Sequence, residues 1–315
     1  MKRILSALSA LLLASGAAQA APALWKVADE DTTIHLFGTI HALPPELEWR
    51  TAEFDAAFAA ANKLCIEIDI FARMPEIVSL TFKEGIFTGE ERLSDHLDDE
   101  QEAMLREVAA EVNMLWVGLD VMKPWNAMFT IAGGLAMKAG LADDSGVEFV
   151  LYEEALADGK TICEMESLDE QLGGLIRLPL DIQVSALTMV DEEYADLPVP
   201  EQLDKGVEEL RGMVDDWAVG NVAAMQDSFE DFGHKELYDA ILTDRNARWA
   251  DRIETMLEEP GSVFIAVGAG HLAGPDSVQV MLEARGIEVE GPEFHFPAKD
   301  KTASEGGTTS EEMAE

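Results

Sequence analysis

The chain has 315 residues, with 22 basic and 62 acidic side chains and a formal charge of −40. Such a charge excludes nucleic acid and anionic membrane surfaces as partners, because both would be repelled. Hydrophobic residues make up 48% of the chain, enough for a real core, so the acidity describes a solvated surface and not disorder.

Residues 1–20 read as a secretory signal peptide. Lys2 and Arg3 form a basic start, residues 4–17 an apolar stretch, and Ala18-Gln19-Ala20 a small-residue cleavage site. The mature protein is expected to start at Ala21 and to be soluble and exported, with the periplasm as its compartment. No Cys stands at the cleavage point for a lipid anchor, and no later apolar run is long enough to span a bilayer. Losing Lys2 and Arg3 takes the formal charge from −40 to −42.

In the mature chain, 24–28 and 32–37 flank Asp29-Glu30-Asp31 and read as a hairpin with an acidic turn. The second strand runs into I-H-L-F-G-T-I-H at 34–41. Thr51 is placed to cap a helix over 51–61. L-C-I-E-I-D-I at 64–70 reads as a strand, with Ile66, Ile68 and Ile70 on one face and Cys65, Glu67 and Asp69 on the other. A carboxylate inside so apolar a strand needs a cation, an Arg or a metal beside it; the alternative is a face open to water. From about 74 to 240 the pattern is mostly helical and reads as an insertion. Within it, 102–116 carries core-type spacing, Lys123-Pro124-Trp125 opens a helix containing Gly133 and Gly134, and 146–157 is another helix. A third strand is expected over 160–165. Glu166 stands at its end and reads first as a helix-initiating acid, with a substrate contact as the other possibility. Pro198 to Pro200 reads as a joint. Thr243 is placed to cap a helix over 243–257 that carries Arg245, Asn246 and Arg248 in its first turns.

V-F-I-A-V-G-A-G-H at 263–271 is the strongest strand, apolar enough to be buried on both faces of a parallel sheet. Asp276 and Ser277 then offer helix caps, and 286–290 reads as a last short strand. Residues 299–315 read as a disordered acidic tail. Both 34–41 and 263–271 end in Gly-x-x-His, which places His41 and His271 at the carboxyl ends of strands, where α/β sheets usually keep their sites. Composition alone yields about half such a motif by chance, so the strand context carries the signal. The bland reading is two histidines satisfied by backbone. Cys65 and Cys163 both lie on expected strands and can pair in an oxidising compartment if those strands are neighbours; two buried thiols are the alternative.

Two imidazoles and a carboxylate suit a catalytic divalent metal with a position left for water or substrate. His/Glu ligands accept Mn, Co and Zn alike. A nearby Arg can stabilise an oxyanion.

The chain resembles the TraB/GumN family, which includes the TIKI proteins. The resemblance rests on L-W-K-V at 24–27, L-F-G-T-I-H-A-L-P-P at 36–45, the L-C-I-E-I-D strand, K-P-W at 123–125, E-S-L-D-E-Q-L at 166–172, D-R-N-A-R-W at 244–249 and V-G-A-G-H-L-A-G-P at 267–275. It implies an α/β fold of the erythromycin-esterase/ChaN type over 21–298, a central, mostly parallel sheet with a large helical insertion. It implies His41 and His271 as metal ligands with Glu67 as their acidic partner. It places Arg245 and Asn246 at the site as substrate or oxyanion contacts. The TIKI members imply a metal-dependent peptidase, acting on a peptide or small-molecule substrate. Two other functions compete: a metal-free esterase-like hydrolase with a His general base oriented by Glu67, and a non-catalytic binder of peptide, haem or metal.

Overall fold

The computed structural model describes residues 21–191, 193–229 and 233–294. The expected signal peptide and acidic tail lie outside the described residues. Five strands form one sheet in the order β1-β2-β5-β3-β4. They are β1 (Leu24–Ala28), β2 (Thr32–Thr39), β3 (Lys63–Ile66), β4 (Thr161–Glu164) and β5 (Gly261–Gly268). β1 is antiparallel to β2, joined by the expected hairpin whose Asp29 side chain accepts the Thr32 N–H at 2.8 Å. The other four run parallel, so their carboxyl ends share one edge. The fold is α/β with a mostly parallel sheet.

β5 lies in the middle, and Val263 through Val267 are all buried, as its unbroken apolar run requires. Around it, α1 (Ala52–Ala60) supplies Phe54 and Phe58, and both rings stand edge-on to Phe264 at 5.2 Å. Each such buried ring contributes about 1.5–3 kcal/mol through area removed from water. Thr51 caps α1 by accepting the Phe54 N–H at 3.1 Å.

The helices between the third and fifth strands are α2 (Ile70–Glu84), α3 (Asp99–Glu111), α4 (Trp116–Leu119), α5 (Pro124–Lys138), α6 (Val147–Ala157), α7 (Leu168–Ile176), α8 (Leu180–Leu187), α9 (Val199–Ala218), α10 (Val222–Phe229), α11 (Lys235–Tyr238) and α12 (Asp244–Met256). α13 (Val278–Glu283) follows β5. A second, smaller core of Phe87, Leu93, Leu105, Leu119 and Ala127 lies among the helices from α3 to α5.

Several expectations need correction. The strand expected over 64–70 stops at Ile66, because Asp69 accepts the Ala72 N–H at 2.9 Å and caps α2. Strict alternation fails there too: Leu64, Cys65 and Ile66 are all buried, as a strand between two parallel neighbours must be. Helix α3 ends at Glu111, and Asn113 takes a left-handed backbone with φ of 58° before the separate α4. Pro198 to Pro200 is no joint but the start of α9, a position proline tolerates. The strand expected over 286–290 is reduced to a single bridge between Lys26 and Glu290. Thr243 does not cap α12. The helix arrives already wound from a π-turn at Asp239–Thr243, leaving no extended residue to act as a cap.

Candidate functional site

Four neighbouring parallel strands each deliver one titratable side chain to the shared edge. His41 lies two residues past β2, Glu67 directly after β3, Glu166 two residues past β4, and His271 in a 3₁₀ turn after β5. Strand register sets their neighbourhood, since Thr39 pairs with Gly268 and Ile66 with Ala266. The Glu166 N–H extends the ladder by donating to the Glu67 carbonyl at 3.1 Å.

Cys65 and Cys163 are register partners on β3 and β4 and form a disulfide across a Cα separation of 4.4 Å. Of the two readings open from sequence, pairing is the one the strands produce. The bridge ties together the strands that carry Glu67 and Glu166.

Arg245 is buried at the centre, and all five of its N–H groups are taken. Nε donates to Glu166 at 2.9 and 3.1 Å, and Nη2 to Glu67 at 2.6 Å and also to Glu166. Nη1 donates to the Ile241 carbonyl at 3.1 Å and lies 3.0 Å from His271 Nε2. Its guanidinium also stands over the Trp249 ring, 5.0 Å from the centroid. The π-turn just ahead of α12 supplies Ile241, and such turns recur at functional sites. An arginine so committed has no N–H left to contact an oxyanion. It holds two buried carboxylates that would otherwise be very costly.

Glu67 receives further N–H groups from Gly268 at 2.8 Å and Gln171 at 3.2 Å. A Cβ on Gly268 would meet Glu67 Oε1 at 3.0 Å, so the glycine lets backbone and carboxylate approach this closely. Burial pushes the Glu67 carboxyl up, but the charges facing it, Arg245 foremost, outweigh burial and, with the Gly268 N–H, hold it well below the usual carboxylate range. Glu166 is 1% exposed, and there burial wins over Arg245, with help from the Glu67 charge, so its pKa is raised. Arg245 is raised in turn: the two carboxylates outweigh the burial that opposes its charge.

His271 is 4% exposed, and burial, then the Arg245 charge, depress its pKa to about 3. It is therefore neutral near pH 7, and its tautomer follows from its partners. Arg245 can only donate, so Nε2 accepts. Asn246 Nδ2 donates to the Asp276 carbonyl at 2.7 Å, which turns Oδ1 toward the ring, and His271 Nδ1–H donates to it at 2.6 Å. Trp249 covers the ring at 4.3 Å between centroids.

His41 is placed differently. Its side chain is 73% exposed, and Nδ1 lies 2.7 Å from Glu148 Oε1. The same carboxylate accepts from the Thr39 hydroxyl. The Glu148 charge raises the His41 pKa, and water around the open ring screens part of that rise. Nε2 has no hydrogen-bond partner among the described residues. Gly146 makes the pairing possible, since a Cβ there would stand 1.9 Å from the His41 carbonyl oxygen.

The edge thus gathers His41, Glu67, Glu166, Arg245, Asn246 and His271, and in it Glu166 is an Arg245 partner beyond its place before α7. Sequence reasoning missed Glu148, Gln171 and Trp249. Glu148 stands at the head of α6 as an ordinary acid of a helix's first turn, and nothing local ties it to a histidine 107 positions earlier. Gln171 lies inside the E-S-L-D-E-Q-L motif and Trp249 inside D-R-N-A-R-W, so both sat within stretches already singled out.

The sequence profile of the TraB/PrgY/gumN family matches residues 23–291. The chain is 24% identical over 252 residues to the uncharacterized protein YbaP of Escherichia coli K12, covering 79% of this chain and 87% of that one. YbaP of Shigella flexneri gives the same figures. No solved structure matches. No described helix is long and apolar enough to cross a membrane.

Proposed function

The chain belongs to the TraB/PrgY/gumN family, and we propose that it is an exported hydrolase whose proton-transfer group is the His41–Glu148 pair. One observation carries this reading: of the four side chains at the strand ends, His41 alone opens to solvent, with a carboxylate at its Nδ1. Export rests on the signal read over residues 1–20.

Glu148 favours the imidazolium, so the base is the fraction that has lost its Nε2 proton: the carboxylate keeps the other proton at Nδ1 and leaves the Nε2 lone pair outward. That lone pair takes a proton from water as the water oxygen attacks the acyl carbon, and Nε2–H returns it to the leaving group. The buried Arg245, Glu67, Glu166 and His271 cluster does no proton transfer in this scheme. It fixes the strand ends on which the pair is mounted.

The leading expectation from the resemblance is a divalent metal held by His41, His271 and Glu67. The donor set as arranged does not fit one. The His271 Nε2 lone pair accepts from Arg245, its Nδ1 carries the proton shared with Asn246, and both Glu67 oxygens receive N–H groups. The metal-dependent hydrolase remains as a second reading, because His41 Nε2 opens at the same edge as Glu67 and His271. It requires Arg245 to release both.

The test is hydrolysis of peptide and ester libraries by the mature chain and by His41→Ala. Activity that falls about 10²–10⁴-fold in the variant and survives chelation is expected. A variant as active as the wild type removes the reading. About one divalent metal per chain, lost in both His41→Ala and His271→Ala, replaces it with the metal-dependent one.

A further inference from the structure

Helix α2 begins three residues after Glu67, and none of its 15 residues is buried. Its apolar side nevertheless faces water: Phe71, Met74, Val78 and Phe82 are 38%, 48%, 45% and 74% exposed. At 3.6 residues per turn these four positions fall within a sector of roughly 80°. Helices in proteins gain most of their stability by packing such a stripe, yet in this one only Phe71 meets other described aromatic rings, Phe149 and Tyr152, and Met74, Val78 and Phe82 stay exposed. The helix is nonetheless anchored at both ends. Arg73 pairs with Glu164 at 2.8 Å near its start, and Trp125 Nε1 donates to the Glu84 carbonyl at 3.2 Å at its end. The stripe is therefore a fixed platform.

It also leads out of the site. The Phe71 ring packs on Tyr152 at 4.6 Å and Phe149 at 5.8 Å between centroids. Phe149 follows Glu148 on α6, and Tyr152 OH donates to Asp69, the α2 cap, at 3.3 Å. An aromatic wall thus joins the His41–Glu148 pair to the exposed row.

We propose that this face of α2 is a substrate subsite that holds an extended peptide by apolar side chains at alternate positions, starting beside the bond presented to His41. The inference rests on the hydrolase reading. Continuity with the site is the first argument. Spacing is the second: Met74, Val78 and Phe82 step by about 6 Å along the helix, close to the roughly 6.6 Å between same-side residues of an extended chain. Charge is the third. Arg73 and Lys83 balance Glu76 and Glu84 on α2, a neutral element in a chain of −40. An uncharged or basic peptide is accepted there. An anionic lipid surface and a second copy of this acidic chain are both repelled.

The experiment uses the full mature chain and two rhodamine-labelled ten-residue peptides. One has Leu at every second position with Ser and Lys between; the other has Ser in place of each Leu. Fluorescence anisotropy compares the wild type, Met74→Glu/Val78→Glu and His41→Ala. The wild type and His41→Ala should bind the Leu peptide at least about tenfold more tightly than the Ser peptide, and Met74→Glu/Val78→Glu should lose that preference. Both substituted positions are exposed, and a melting curve checks that the variant is folded. Equal affinity in the wild type and the Met74→Glu/Val78→Glu chain overturns the proposal. So does a wild-type dimer in sedimentation that the same substitutions dissolve, which would make a second copy the occupant. Turnover is read separately: cleavage retained by His41→Ala counts against the hydrolase reading and leaves the binding comparison standing.

Discussion

His41 and His271 share a motif and an edge but not a protonation state. Glu148 favours the imidazolium at His41, whereas burial and Arg245 forbid it at His271. If His41 acts as a base, activity should climb with pH above the ordinary histidine value of about 6.5. Glu148→Gln removes the charge that raises it, so the ascending limb should move to lower pH while the plateau falls. A pH profile whose limb does not move in that variant detaches Glu148 from the proton transfer. The buried histidine reports through stability. Its folded pKa of about 3 lies below its unfolded value, so the native state binds fewer protons. Its contribution is fully present above pH 6.5 or so and is lost as pH falls toward the folded value. Urea unfolding at pH 7 and pH 5 should show a smaller loss in His271→Gln than in the wild type; equal slopes would mean that His271 is not held neutral. Arg245→Met leaves Glu67 and Glu166 buried without their cation. It should cost about 3–5 kcal/mol, whereas a loss below about 1 kcal/mol would show the cluster to be wet.

Among the elements, the disulfide supports the strands that position the two acids. It closes a loop with a sequence separation of 98. Reducing it, or replacing Cys65 and Cys163 by Ser, should lower stability by about 2–4 kcal/mol, read as a shift in the urea midpoint; an unchanged midpoint would make the bridge irrelevant to folding. The pairing illustrates what was legible in the chain. β5 announces itself by an unbroken apolar run and β3 by an apolar alternation that carries Glu67, and their carboxyl ends fix where His271 and Glu67 stand, since register is a local consequence of strand pairing. The His41–Glu148 contact was not legible, because it joins the end of β2 to the head of α6 and leaves no pattern at either place. The same holds for the entry to α12. Thr243 has the composition of a cap, but the preceding turns are helical, and a π-turn is set by how Ile241 and Arg245 meet the cluster. Nor could periodicity show that α2 keeps its apolar stripe exposed, since an amphipathic pattern says which side is apolar and not whether anything covers it.

For the whole molecule the dominant quantity is charge, −42 once residues 1–20 are set aside. Like charges spread over the surface repel one another in the compact state more than in the expanded one, so the native fold carries a self-repulsion that salt can screen. The melting temperature should therefore rise between low salt and about 1 M NaCl, where the Debye length is near 3 Å. The buried cluster should not follow, because salt does not enter it: the Arg245–Glu67 coupling from a double-mutant cycle should be the same at both concentrations. His41 sits between these cases. It is exposed, so the acidic field that favours its imidazolium is screened with the rest, and its proton should leave more easily in salt. The ascending limb of activity should then move to lower pH as NaCl is raised, in parallel with the rise in melting temperature. A limb that stays fixed while the melting temperature climbs would mean that the Glu148 contact alone, and not the field of the whole chain, sets the charge on His41.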